Sequence, residues 1–260
     1  MQQTLPEDDM MHKSLFVVYE NVAECLKENF NIYSDQVFHF CYLAGARKVF
    51  SQILNEYETP KEEENKCMNR IVKLKLDMKI EGVKNIILNT DHLAQKIEAS
   101  VLLACMAEFM GANFVPYVER TIPLISELMV YKHSREIRNN AIETIKYMVL
   151  NCPQQEQKLQ VLKMIWEPFL TELATVIRGQ DYKQTCSMIE VLADTMPSMD
   201  QSMAMKLPEI CSRVISMVNT VVKEIEQGYN MDDMDEEEQD RLADDTAEVE
   251  EVIFYLILGS

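Results

Sequence analysis

The sequence predicts an all-α protein, a right-handed α-solenoid of stacked helix pairs with a possible small β-hairpin insertion. Three observations carry that expectation. Apolar residues recur at steps of three and four along most of the chain, as in Val115, Val118, Ile122, Ile125 and Met129. With only six glycines and eight prolines in 260 residues, all-β folds with many tight turns are excluded. Two stretches, Pro123-Leu-Ile-Ser-Glu-Leu-Met129 and Pro168-Phe-Leu-Thr-Glu-Leu-Ala174, match position by position at a spacing of 45.

The elements follow in order. Helices are expected near 10–30, 34–57, 91–110, 114–132, 134–151, 157–178, 181–197, 203–229 and 244–258. Asn89-Thr90-Asp91 and Ser134 are start signals; Gly111, Gly179 and Gly228 are stops. Between the second and third helices, Val72-Lys-Leu-Lys-Leu-Asp-Met-Lys79 alternates with a period of two, the pattern of a half-buried strand. Val83 to Leu88 supplies a partner, so 58–88 reads as an insertion made of a short acidic loop and a hairpin. A second insertion, an acidic loop at 231–243, precedes the last helix.

The 45-residue spacing extends past the prolines. Ile137-Arg138 and Tyr182-Lys183 take corresponding places, followed by a small residue, Ala141 or Cys186. Pro208 continues the series 40 residues on, with Ile210 and Val214 keeping apolar positions. Paired helices at such a period are the signature of HEAT repeats. A proline inside a helix normally costs about 3 kcal/mol, and is tolerable where the freed carbonyl faces solvent. At that period the chain reads as one run of such helix pairs.

Charge narrows the function classes. Forty-three acids against 25 bases give −18, which excludes a protein that grips a nucleic-acid backbone directly and favours basic partners. Residues 231–251 alone hold twelve acids and one base, so −11 of the charge sits in that segment. The seven cysteines are scattered with no C-x-x-C pair, which fits neither a disulfide framework nor a zinc module. The longest apolar run, Val252 to Leu258, is too short to insert into a membrane. An intracellular, reduced and soluble chain is expected.

No catalytic constellation is present. The four histidines are far apart, and His39 and Cys41 point to opposite sides of a predicted helix. From Asp233 the sixth position of a calcium loop would be Glu238, where a glycine is needed. No phosphate-binding Gly-Lys-Ser/Thr loop and no G-x-S-x-G elbow occurs. The expectation is a binding protein, with no enzyme activity, cofactor or metal.

The stretch from Asn89 to Cys152 resembles the importin-β (karyopherin-β) family, and most of all its importin five or karyopherin beta-three subclass. The resemblance is carried by Lys96-Ile-Glu-Ala99, by Phe114-Val-Pro-Tyr-Val-Glu119 and by Ile137-Arg138-Asn-Asn-Ala141, in that order. In this register the resemblance implies that 1–260 is a single solenoid fragment of about four and a half repeats, opening on a B helix and closing inside another, from a central run of a protein roughly four times as long. The resemblance implies a Ran-regulated nuclear transport receptor found in the cytoplasm, the nucleus and the nuclear pore. It implies basic protein cargo such as ribosomal proteins or histones, the Ran GTPase, and Phe-Gly nucleoporins seated in seams between A helices. The cargo-binding candidates on B helices are Glu20, Glu24, Glu98, Glu143 and the pair Glu190 and Asp194. In the acidic loop they are Asp232, Asp233, Asp235, Glu236, Glu237 and Glu238. A pair of carboxylates one helical turn apart can hold a lysine or arginine. The alternative is a HEAT scaffold or adaptor subunit that assembles a complex without transport.

Overall fold

The computed structural model describes residues 11–49, 51–55, 71–78 and 82–226. They group into two compact units, Met1–Met106 and Ala107–Ser260. The all-α expectation holds, with one small sheet inserted.

In the first unit, α1 (Met11–Leu26) and α2 (Asn31–Ala46) are joined by a 3-10 turn, Lys27–Phe30. Lys27 turns the chain through the left-handed region, φ 50°. Phe16 of α1 stacks on Phe40 of α2 at 4.6 Å between ring centroids, and Tyr19 meets the same ring edge-on. The third helix, α3 (Thr90–Phe109), starts where Asn89 Oδ1 accepts from the backbone N–H of His92 at 3.0 Å, the cap expected from the sequence. It is tied to α2 by polar contacts at the buried face. Cys41 Sγ donates to the Ala99 carbonyl at 2.8 Å, Lys96 Nζ to the Gly45 carbonyl, and Arg47 to Gln95 Oε1 at 2.7 Å.

Between α2 and α3 lies the sheet. Strands β2 (Ile71–Met78) and β3 (Gly82–Asn89) pair antiparallel with Leu74 opposite Ile86, the expected hairpin. The helix expected over 34–57 is corrected: it stops at Ala46, and Ser51–Asn55 form a third strand, β1, antiparallel to β3 with Ile53 opposite Ile86. In the order β1-β3-β2, strand β3 is central. An unpaired edge of β3 would leave a row of backbone N–H and C=O groups without partners. That long-range demand, invisible to local periodicity, makes 51–55 extended. The acidic run 61–66 lies outside the described residues.

In the second unit a 3-10 segment, Gly111–Tyr117, opens at Gly111 with φ 55°. Among its described residues five longer helices and a single turn follow: α4 (Val118–Met129), α5 (Arg135–Leu150), α6 (Gln155–Arg178), α7 (Tyr182–Thr195), the turn α8 (Gln201–Ala204), and α9 (Leu207–Glu226). Helices α4, α6 and α9 neighbour one another as A helices, and α5 and α7 as B helices, each pair closing on itself. This is the packing of stacked repeats. The core between them is filled by Ile122, Ile125, Ile145, Ile165, Trp166, Phe169 and Leu192, each contributing about 1.5–3 kcal/mol by leaving water.

Repeat-specific residues fall in place. Pro123 and Pro168 are both exposed inside A helices, so the carbonyls they leave unpaired meet solvent. Ala141 and Cys186 are buried where paired helices approach. Ser134 caps α5 and Asp181 caps α7. At the α6–α7 turn the left-handed residue is Gln180, φ 54°, one position after the expected Gly179. The helix expected over 203–229 is also corrected, because the chain breaks after Ala204 and restarts at Leu207. Pro208, lacking an N–H, suits the first turn of a new helix. The helix expected over 244–258 lies outside the described residues.

Candidate functional site

The B helices bring acidic side chains to their faces in both units. In the first, Glu20 lies on α1 and Glu98 on α3, close enough for the charge of Glu98 to act on Glu20. Desolvation by the surrounding helices, then the negative charge of Glu98, push the Glu20 pKa up to about 7. Its Oε1 is buried with no hydrogen-bond partner among the described residues. Below it the Cys41 thiol is fully buried, and burial, then Glu20 and Cys105, raise its pKa. Glu24, one turn along α1, is exposed.

In the second unit Glu143 projects from α5 and feels Glu108 from the last turn of α3 and Glu190 from α7. Although exposed, it is partly stripped of water by the neighbouring helix faces. That desolvation raises its pKa, Glu108 and Glu190 add to the rise, and Lys146 opposes it. Tyr147 donates its hydroxyl hydrogen bond to Glu108; desolvation, then Glu108 and Glu143, push the phenol up to about 12.

The pair Glu190 and Asp194, one turn apart on α7, is bridged by Lys146 of the adjacent α5. Its Nζ lies 2.9 Å from Glu190 Oε1 and 2.7 Å from Asp194 Oδ2. Partial burial works against the ammonium, but hydrogen bonds to Asp194 and Glu190 together hold its pKa above the ordinary lysine value.

Beside this lattice runs a second tie between α5 and the start of α7. Arg138 donates to Asp181 Oδ2 at 3.2 Å, to Gln184 Oε1 at 3.2 Å and to the Tyr131 carbonyl at 3.1 Å. It sets the register of the two helices, and so the spacing of the carboxylates further along.

The structure therefore joins Glu143 electrostatically to Glu190, and Glu190 to Asp194 through Lys146. Glu20 and Glu98 form their own pair in the first unit. Asp232, Asp233, Asp235, Glu236, Glu237 and Glu238 lie outside the described residues. Sequence reading missed Glu108, Lys146 and Tyr147. A signal for Lys146 existed: Glu190 is 44 residues ahead and Asp194 is 48 ahead, bracketing the repeat period that makes residues of adjacent B helices neighbours.

On the A-helix side, a cleft of about 760 Å³ opens between α6 and α9, lined by Ala174, Ile177, Arg178, Arg213, Met217 and Thr220 among others. Among the described residues, no group of three His, Cys, Asp or Glu side chains is placed to hold a metal ion. No described helix is long and apolar enough to cross a membrane.

No protein-family model matches the chain, and no curated protein matches it. Solved structures do. The chain is similar to the karyopherin Kap121p bound to the extreme C-terminus of the protein phosphatase Cdc14p, with TM-score 0.66 and 12% identity over 95% of this chain and 23% of that one. It is similar to Kap121p bound to Nup53p, with TM-score 0.68 and 14% identity over 97% and 23%. It is similar to Kap121p bound to RanGTP, with TM-score 0.68 and 11% identity over 100% and 24%. At these identities the likeness is one of fold, the all-α HEAT-repeat solenoid. The chain spans about a quarter of the length of these structures.

Proposed function

We propose that the chain is part of a nuclear transport receptor of the importin-β (karyopherin-β) kind, a non-catalytic protein whose B-helix faces bind lysine- and arginine-rich segments of protein cargo. The observation that carries this reading is the run of carboxylates on three successive B helices, Glu108, Glu143 and Glu190, close enough for each neighbour to raise the pKa of Glu143. Carboxylates so placed and partly desolvated are stabilised by an incoming cation, which relieves their mutual repulsion. The Glu190–Asp194 pair already does this with an ammonium at 2.7–2.9 Å.

Support for transport comes from the fold likeness to Kap121p, which has been seen with RanGTP, with Nup53p and with the Cdc14p tail. By that analogy the partners are basic protein cargo, Ran and Phe-Gly nucleoporins, with residence in cytoplasm and nucleus. The cleft between α6 and α9 sets a short apolar strip, Ala174, Ile177 and Met217, among the polar Arg178, Gln180, Arg213, Ser216 and Thr220, and that strip is the place it offers a Phe-Gly ring. Glu20, Glu24 and Glu98 extend the acidic candidates to the first unit, and the acidic loop 231–243 adds Asp232 to Glu238.

Binding of a fluorescein-labelled octalysine peptide, followed by anisotropy at about 0.15 M salt where weak surface attraction is screened, tests the reading. Glu143→Gln with Glu108→Gln should weaken the complex roughly tenfold, the sum of two half-exposed ion pairs at ~0.7 kcal/mol each. Unchanged affinity would refute the acidic face as the cargo surface.

A further inference from the structure

We propose that Lys146 is a specificity-determining residue: it occupies the Glu190–Asp194 pair as an internal competitor of cargo lysines and so confines an incoming cation to the Glu108–Glu143 end of the face. This rests on the reading of the B-helix face as a cation-binding surface.

The geometry is that of an occupied site. A single ammonium lies within 3 Å of two carboxylates presented by the neighbouring helix. The lysine side chain is 20% exposed and each carboxylate 39% exposed, so the acids remain reachable while the cation between them is mostly covered. Lys146 also stands three residues from Glu143, within a helical turn. It therefore divides a continuous row of acids into a neutralised part and an unneutralised part. Glu143 is the member left with a raised pKa: desolvation, Glu108 and Glu190 drive the rise and Lys146 opposes it.

Exchange chemistry decides which part a cargo lysine enters. Replacing Lys146 by another ammonium at Glu190–Asp194 makes one ion pair and breaks an equivalent one, so the direct electrostatic gain is close to nil. The resident lysine is also held on the same scaffold, at an effective concentration of the order of mM or more. A peptide lysine at micromolar concentration loses that competition. Among the described residues no ammonium bridges Glu143 to a second carboxylate, so nothing comparable is displaced there and the gain is undiminished.

The test uses the whole 260-residue chain and the octalysine peptide. Lys146→Gln should tighten binding roughly three- to tenfold by freeing two carboxylates, and adding Glu190→Gln and Asp194→Asn should abolish the gain. Lys146→Arg keeps the competitor and should bind as the parent does. Lys206→Gln is the control: it changes net charge equally and frees Glu167 of α6, its partner at 2.7 Å from the turn before α9, yet should give no gain. Two results would overturn the inference: unchanged or weaker binding by Lys146→Gln in a chain whose helical circular dichroism is intact, or an equal gain from Lys206→Gln. If Lys146→Gln is silent while Glu143→Gln weakens binding, the cargo surface stands and only the competitor role falls. If both are silent, the surface reading itself falls.

Discussion

The two units place the same residue type on the same kind of helix face and leave it in opposite states. In the first, Glu20 faces Glu98, one of its oxygens has no donor, and its carboxyl titrates near neutrality. In the second, Glu190 and Asp194 are bridged by Lys146. A glutamate on a B helix is therefore not a unit of negative charge by virtue of its identity. Its charge at neutral pH depends on how much water it keeps and whether a cation stands within about 3 Å. Net charge counted from composition overstates the field of the first unit's face near pH 7, where Glu20 is partly protonated.

The comparison can be broken most strongly by removing what aligns α5 with α7. Arg138→Ala deletes three hydrogen bonds from a side chain only 16% exposed and leaves Asp181 and Gln184 short of a partner. A loss of about 2 kcal/mol from the second unit is expected. Trp166, the one tryptophan in the chain, is buried in α6, so urea denaturation followed by its fluorescence reads the second unit directly.

A smaller effect of opposite sign is expected in the first unit. Because the Glu20 pKa rises on folding from 4.5 to about 7, the folded chain keeps a proton there that the unfolded chain has released. The stabilisation from this group is full below 4.5 and is lost as pH rises through about 7. Glu20→Gln should remove that slope and stabilise the unit above neutrality by about 1 kcal/mol, a figure reduced for the partial exposure of the side chain. Amide hydrogen exchange of α1 and α3 at acid and alkaline pH measures it; parallel pH profiles for both proteins would show that Glu20 is not the titrating group.

The smallest effect converts the second unit toward the first. The Lys146 pKa is raised on folding, so its contribution is complete below the ordinary lysine value of 10.5 and is lost only above it. Through the neutral range that ion pair gives no pH slope. Lys146→Gln should cost ~0.5–1 kcal/mol. It should also introduce a slope, with stability falling as pH rises past the carboxylate range, because Glu143 loses the influence that lowers its pKa. Trp166 fluorescence melts across pH would show a flat difference if the carboxylates were already screened by solvent.

Much of this was legible in the chain. Ser134 and Asn89 cap the helices they announce, because capping is settled by a residue and its next three neighbours. The prolines at 123 and 168 mark equivalent exposed places in two A helices, and the period-two run of β2 is a strand. Strand β1 was not legible: its partner β3 begins some thirty residues later, and nothing inside Ser51–Asn55 records that pairing. The break before α9 was missed because apolar spacing runs through Met203 to Ile210 without interruption, while Pro208 removes a backbone donor. At the site, helical spacing set Glu190 and Asp194 one turn apart and the family resemblance pointed to Glu143, but neither showed the electrostatic surroundings of these carboxylates.

Local physics, then, was written in the sequence: helical period, caps, the repeat of 45 residues, and the acidic residues of the B helices. These depend on neighbours within a turn or on a regular repeat. Tertiary structure alone decided that the inserted hairpin recruits a third strand, that Lys146 reaches across to Glu190 and Asp194, and that Glu20 meets no cation among the described residues. Each of those outcomes turns on distances of about 3 Å between residues tens of positions apart, and on the water excluded when helix faces close. No one-dimensional pattern encodes either quantity.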